Sequence, residues 1–238
     1  MICFLTSRID DPETGKLNPA NRLEDELRIY FPRPCRALFI CSSPDGWEIT
    51  DFYANATKVI IEDAGFIFEQ FRILDSRNES AAAELVRASD LLILSGGHVP
   101  TQNRFFEKIH LREIMKDYDG IVIGISAGSM NSAEEVYAQP EEEGEAIDPS
   151  YQRFLSGLGL TKINLLPHYQ EVKDDILDGL KVFEDVAYPD SMGKTFYAIP
   201  DGSYLFMDDL REELRGEAYR IKDGVMTQIS TGSGSLCL

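Results

Sequence analysis

Cations are scarce in this sequence. In 238 residues, 23 Lys and Arg stand against 41 Asp and Glu, a formal charge of −18 with histidine neutral. Phosphate backbones are gripped by clustered Lys and Arg, so this balance excludes nucleic acid as a partner. It also disfavours an anionic membrane surface. Long hydrophobic runs are missing as well: none approaches the roughly 20 apolar residues that span a bilayer. The apolar start Ile2-Cys3-Phe4-Leu5 is too short for a secretory signal core and has no basic stretch before it. The expected compartment is therefore the cytoplasm. Cysteine is sparse too. Cys3, Cys35, Cys41 and Cys237 form no CxxC pair and have no histidine at metal-ligand spacing, so neither a metal nor a disulfide framework is expected.

What is present suits a folded domain. The apolar fraction of 43% and the aromatic fraction of 10% are ordinary for a globular core, and no repeat or linker interrupts the chain, so a single domain over residues 1–238 is expected. Short β-branched runs alternate with longer amphipathic segments. Strands are expected at Ile2–Leu5, Arg36–Cys41, Phe66–Leu74, Leu91–Leu94 and Gly120–Ile125. Helices are expected near Asn21–Tyr30, Thr50–Ala64, Ser80–Ala88 and Thr101–Lys116, the second on the spacing of Phe52, Ala56, Val59 and Ile60. Strands that are apolar along their whole length, alternating with helices, imply an α/β fold: a mostly parallel sheet with helices on both faces. Farther on, Asp174–Phe183 reads as a helix and Thr195–Ile199 as a strand. Short C-terminal strands are expected at Tyr204–Met207, Ala218–Ile221 and Val225–Ile229, the last two joined by the hairpin signal Asp223-Gly224. The six glutamates within 134–145 read as a solvated loop.

Gly124-Ile125-Ser126-Ala127-Gly128 fits the G-x-S-x-G nucleophile elbow. A serine on a sharp strand-to-helix turn is pushed outward, and the helix that follows directs N–H groups toward a developing oxyanion. Gly96-Gly97 ends the preceding strand, and neighbouring parallel strands end on one edge. A backbone N–H of this turn and that of Ala127 are thus candidate oxyanion donors. A serine hydroxyl needs a base, and the chain offers three histidines. His110 lies late in a surface helix. His98 follows the glycine turn on the oxyanion side. His168, in Leu165-Leu166-Pro167-His168, ends a strand as the serine does, and is the better candidate by elimination and position. Asp201, in Pro200-Asp201-Gly202, again follows a strand and is the candidate orienting acid, although Asp at such a turn is common without any function. The order Ser, His, Asp differs from the Ser, Asp, His order of α/β-hydrolases.

These segments together resemble the peptidase E group, aspartyl dipeptidases with the cyanophycinases. These are serine hydrolases whose fold is similar to that of class I glutamine amidotransferases. The resemblance rests on Ser95-Gly96-Gly97-His98, the Gly124–Gly128 elbow, Pro167-His168-Tyr169 and Pro200-Asp201-Gly202, in that order. It implies Ser126 as nucleophile, His168 as base, Asp201 as orienting acid, and Gly97 with Ala127 as oxyanion donors, Gly96 and His98 lying in the same turn. It also implies amide hydrolysis through an acyl-enzyme, on small peptides, with no metal or organic cofactor; a monomer or homodimer is expected. The alternatives are a cyanophycinase-like hydrolase of β-Asp-Arg chains and a non-catalytic binding module. The chain departs from the family by carrying Asp201 in place of a glutamate, and Ser95 and His98 in place of a glycine and an asparagine. A glutamate-rich loop bordering the pocket would favour a free amino terminus or a basic side chain over an acidic one.

Overall fold

The computed structural model describes every residue except Asp209 and the side chain of Ser233. In chain order the strands are β1 (Ile2–Thr6), β2 (Cys35–Ile40), β3 (Phe68–Leu74), β4 (Leu91–Leu94), β5 (Ile121–Ile125), β6 (Glu135–Tyr137), β7 (Phe154–Ser156) and β8 (Asn164–Leu166). They continue with β9 (Ile176–Leu177), β10 (Leu180–Lys181), β11 (Thr195–Ala198), β12 (Tyr204–Asp208), β13 (Arg211–Lys222) and β14 (Val225–Cys237). The α-helices are α1 (Leu23–Tyr30), α2 (Trp47–Asp63), α3 (Ala82–Arg87), α4 (Val99–Lys108), α5 (Leu111–Ile114), α6 (Ala127–Met130), α7 (Tyr169–Val172) and α8 (Tyr188–Asp190). Among the described residues no helix is long and apolar enough to cross a membrane. Cys3, Cys35 and Cys41 are buried and Cys237 is exposed, with no disulfide among them.

A ten-stranded sheet organises the chain in the order β3-β2-β4-β5-β1-β12-β13-β11-β8, with β14 paired to β13. The first five strands are parallel. β4 is buried along its whole length, and so are β1 and β5 but for one end residue each. Burial on alternate side chains alike means that both faces are covered, as the run of apolar residues implies.

From β1 onward the direction reverses. β12 runs antiparallel to β1, and β13 antiparallel to β12. The first half of β13 pairs with β12 (Arg215 opposite Tyr204), while its second half extends past the sheet edge to pair with β11 (Tyr219 opposite Ala198). A register shift in its pairing with β14 falls between Arg215 and Glu217, and such bulges bend a strand. β11, antiparallel to β13, and β8, parallel to β11, therefore point back toward the edge where β1 and β5 end. The C-terminal ends of β1, β4, β5, β8 and β11 converge on one place.

Several expectations need correction. Asp174–Phe183 is not a helix but the hairpin β9–β10: Asp178 and Gly179 sit at φ 55° and 82°, a two-residue turn of the primed kind. The helix expected over Thr101–Lys116 is interrupted at His110, which is left-handed at φ 55°. The tail is two long strands of 12 and 13 residues rather than short ones. The stretch 134–145 opens with β6, paired to β7, where Val136 and Tyr137 are buried. In α2 the buried residues are Thr50, Ala54, Thr57 and Ile61, so the Phe52–Ile60 stripe faces elsewhere.

The elbow depends on close backbone approach. A Cβ added at Gly128 would lie 2.3 Å from the carbonyl oxygen of Leu94, a clash with backbone that cannot swing aside. Gly128→Ala is expected to destabilise the fold by about 1–3 kcal/mol, the usual cost of overpacking, measured as a lowered urea midpoint with an unchanged m-value.

Candidate active site

Ser126 occupies the turn between β5 and α6 with φ 50° and ψ −112°, a backbone conformation that non-glycine residues adopt only when their surroundings enforce it. Its own N–H donates to the Thr6 carbonyl at 3.0 Å, tying the elbow to the end of β1. From this turn its Oγ lies 2.9 Å from His168 Nε2, and His168 Nδ1 lies 2.8 Å from Asp201 Oδ1. His168, at the end of β8, is itself left-handed at φ 58°.

Ser7, which follows β1 and is fully buried, makes the junction. Its hydroxyl accepts the N–H of His168 at 2.8 Å and donates to Asp201 Oδ1 at 2.7 Å. The Asp201 N–H donates to Gln170 Oε1 at 2.9 Å. Burial pushes the Asp201 carboxyl up, but hydrogen bonds from His168 and Ser7 outweigh it and hold the group below the ordinary aspartate range.

The glycine turn lies beside the serine, as the β4–β5 register requires. A Cβ on Gly96 would sit 3.5 Å from the Ser126 Cβ. Gly97 has φ 140°, and a Cβ there would come within 2.2 Å of Ser42 Oγ, so glycine is needed on both counts. Ser42 Oγ donates to the Gly96 carbonyl at 2.6 Å. Ala127, first residue of α6, is buried. A buried amide set links the two turns. Gln102 Nε2 donates to the Ser95 carbonyl at 2.8 Å, and Asn131 Nδ2 donates to Gln102 Oε1 at 3.0 Å. The structure thus gathers Ser126, His168, Asp201, Gly96, Gly97 and Ala127. His110 lies apart and is exposed.

His98 bonds Thr101 Oγ1 through Nδ1 at 2.8 Å and Glu145 Oε1 through Nε2 at 2.8 Å. Glu145 also accepts the N–H groups of Glu141 and Glu142, and Asp178 accepts those of Gly144 and Ala146. The glutamate segment is therefore pinned between the glycine turn and the β9–β10 turn. Two triplets, His98 with Glu142 and Glu145, and His168 with Glu171 and Asp201, have donor atoms within 4.8 Å of one another. In both, each imidazole nitrogen already has a side-chain partner, which suits hydrogen bonding better than metal ligation.

Two cavities flank the serine and its histidine. The larger, about 620 Å³, is bordered by the glycine turn, His98, Glu142 and α2. The smaller, about 470 Å³, is bordered by Pro167, Val172, the β9–β10 hairpin and Glu141. The glutamate segment borders both. Ser7, Ser42, Gln102 and Gln170 escaped sequence reasoning. Only Ser7 left a trace there, as a hydroxyl directly after a strand.

The model of peptidase family S51 matches residues 34–214, which include the glycine turn, Ser126, His168 and Asp201 but not Ser7. The chain belongs to peptidase family S51. That membership agrees with the likeness to the peptidase E group and makes the chain a serine peptidase, a hydrolase of peptide bonds. Among solved structures, a peptidase from an acI-B1 Actinobacterium superposes with TM-score 0.64 at 15% identity, covering 100% of this chain and 96% of that one. A protein from Listeria monocytogenes EGD-e, provisionally assigned as a peptidase E, superposes with TM-score 0.60 at 16% identity, covering 96% of this chain and 98% of that one. At such identities the likeness shows a shared fold, the mostly parallel α/β sheet with its C-terminal antiparallel strands. No curated protein matches the sequence.

Glu141 is open to solvent as a residue, yet desolvation of its carboxyl and the charges of Glu145 and Glu142 push its pKa up to about 8. A carboxyl whose folded pKa lies above its unfolded value binds extra protons in the folded state, so stability falls as pH rises from the ordinary glutamate range through about 8. Glu141→Gln removes that group. The thermal midpoint of the variant, measured from pH 5 to pH 9, should decline less than that of the wild type.

Proposed function

We propose that the S51 peptidase activity of this chain is carried by Ser126 as nucleophile, His168 as base and Asp201 as orienting acid, acting on small peptides. The observation that carries this reading is the unbroken chain of hydrogen bonds from Asp201 Oδ1 to His168 Nδ1 and from His168 Nε2 to Ser126 Oγ, at 2.8 and 2.9 Å. Both contacts fall within the reach that general-base activation of a serine requires.

In the first step Ser126 Oγ bonds to the scissile carbonyl carbon while its proton passes to His168 Nε2. The carbonyl electron pair moves onto oxygen, facing the N–H groups of Gly97 and Ala127. The C–N bond then breaks, and His168 gives its proton to the departing amine. Water attacks the resulting ester, again deprotonated by His168, and the proton returns to Ser126 Oγ as the carboxylic product leaves. Asp201 stays ionised throughout and holds the imidazole in the tautomer that presents a lone pair to the serine. The imidazolium that forms 2.8 Å from Asp201 Oδ1 offsets the charge of the carboxylate.

The shorter side chain at Asp201, where the family resemblance implies glutamate, suits this role because the backbone brings it to 2.8 Å of the imidazole. Cavities of about 620 and 470 Å³ on either side of Ser126 fit a peptide of a few residues. Buried thiols at Cys35 and Cys41, both pushed up to about 12 mainly by burial, suit a reducing cytoplasm.

The test is turnover of a dipeptide panel by purified variants. Ser126→Ala should lose activity by on the order of 10⁴-fold or more. Asp201→Asn should lose roughly 10⁴-fold in kcat, the effect of the wrong imidazole tautomer in other Ser-His-Asp enzymes. Retained turnover in Ser126→Ala refutes the assignment, and a binding module without chemistry would show no turnover in the wild type.

A further inference from the structure

Two consecutive residues at the end of β1 hold all three members of the candidate triad. The Thr6 carbonyl accepts the Ser126 N–H at 3.0 Å and the Ser129 hydroxyl at 2.8 Å, and the Thr6 hydroxyl donates to the Gly124 carbonyl at 2.8 Å. These bonds fix the elbow. Ser7, next in the chain and fully buried, faces the other two members. Its backbone N–H donates to the Ser203 carbonyl at 3.2 Å, beside the turn that carries Asp201. Its hydroxyl accepts the His168 N–H at 2.8 Å and donates to Asp201 Oδ1 at 2.7 Å.

The direction of these two hydroxyl bonds is fixed. A backbone N–H can only donate, so Ser7 Oγ is the acceptor there, and its one proton is left for the carboxylate. That proton goes to the same oxygen that meets His168 Nδ1 at 2.8 Å, while Oδ2 is buried without a protein hydrogen bond. Ser7 is thus one of two donors to Oδ1. Position 168 needs the same hold. His168 is left-handed at φ 58°, a conformation that persists only where the surroundings impose it, and a backbone released from it would carry the imidazole away from Ser126.

Two further charged groups face the pair, Arg8 from the segment after β1 and Glu171 from α7. Arg8 donates to both Asp10 oxygens and lies 3.8 Å from Glu171. Glu171 has a donor atom within 4.8 Å of those of His168 and Asp201. Their charges are opposed and both side chains reach solvent, whereas Ser7 acts from the interior at hydrogen-bond distance.

We propose that Ser7 is a positioning residue for the peptidase reaction: its one hydroxyl sets the His168 backbone against the Asp201 carboxylate and holds that carboxylate as an anion beside the imidazole. The proposal rests on the catalytic reading of Ser126, His168 and Asp201. The residues matched by the S51 model begin at 34, so Ser7 lies outside them.

The experiment compares wild type, Ser7→Ala and Ser7→Cys in kcat, KM and the pH dependence of kcat/KM. The substrates are p-nitrophenyl acetate and the dipeptide that the wild type turns over fastest, and the urea midpoint of each protein is measured in parallel. Cysteine fills the space of serine with a weak donor. Both variants should lose roughly 10- to 100-fold in kcat, the scale of a misplaced catalytic group, with KM within about threefold of the wild type. Removing a donor to an anion raises the proton affinity of the His168–Asp201 pair, so the acidic limb of kcat/KM should move upward by about half to one pH unit. A merely structural role would lower the urea midpoint and leave both readouts of the folded protein in place. Unmoved kcat and acidic limb in the folded variants, or a fold lost in Ser7→Ala and Ser7→Cys alike, overturns the proposal; the catalytic reading then stands if Ser126→Ala abolishes wild-type turnover. Turnover that survives in Ser126→Ala, or a wild type inactive on both substrates, overturns both.

Discussion

The site exists because two sets of strands run head-on into one another. β1 and β5 end where β8 and β11 also end, having come from the opposite direction, and the long β13 spans both sets. Ser126 is delivered from one side, His168 and Asp201 from the other. At the seam stands the buried hydroxyl of Ser7, which accepts from the His168 backbone and donates to the Asp201 carboxylate. A buried hydroxyl with both functions satisfied is costly to lose from either side, since its partners would be left desolvated and unpaired. The register between the two halves of the sheet and the alignment of the candidate catalytic groups are thereby one and the same constraint.

Around that seam, strain and rigidity occur together. Ser126 and His168 both hold positive φ, a conformation stabilised only by what surrounds it. The amide set Gln102–Asn131 couples the glycine turn to the helix after the serine. Donors aimed at a developing oxyanion work when they need not reorganise during the reaction, and a fully bonded buried network supplies that stiffness.

Much of this was legible in the sequence, for identifiable reasons. Strands buried on both faces must be apolar throughout, so Leu91–Leu94 and the strand before Ser126 stand out, and the elbow needs small residues at fixed positions. Placing His168 and Asp201 directly after strands brought them to the right edge, although strand direction itself left no mark in the residues. Asp178-Gly179 carries the same turn signal as Asp223-Gly224, but the spacing of Ile176, Leu177 and Leu180 also fits a helix. In α2 the large Phe52 and Tyr53 are exposed while the smaller Thr50, Ala54 and Thr57 are buried, an inversion that no periodicity reveals. Ser7, Ser42 and Gln102 act through partners distant in sequence, which a single chain of letters does not display. The acidic excess proved divided: Glu145 fastens a loop to His98, whereas Glu141 and Glu142 border the two cavities beside the serine.

The central claim is that Ser126 is a nucleophile activated through His168 by Asp201. Intact-protein and peptide mass spectrometry after exposure to a serine-reactive fluorophosphonate tests it most directly. The account predicts a single adduct, on the peptide carrying Ser126, that forms far more slowly in His168→Ala. Absence of an adduct on folded protein, an adduct elsewhere, or labelling of Ser126 at an undiminished rate without His168 would contradict it.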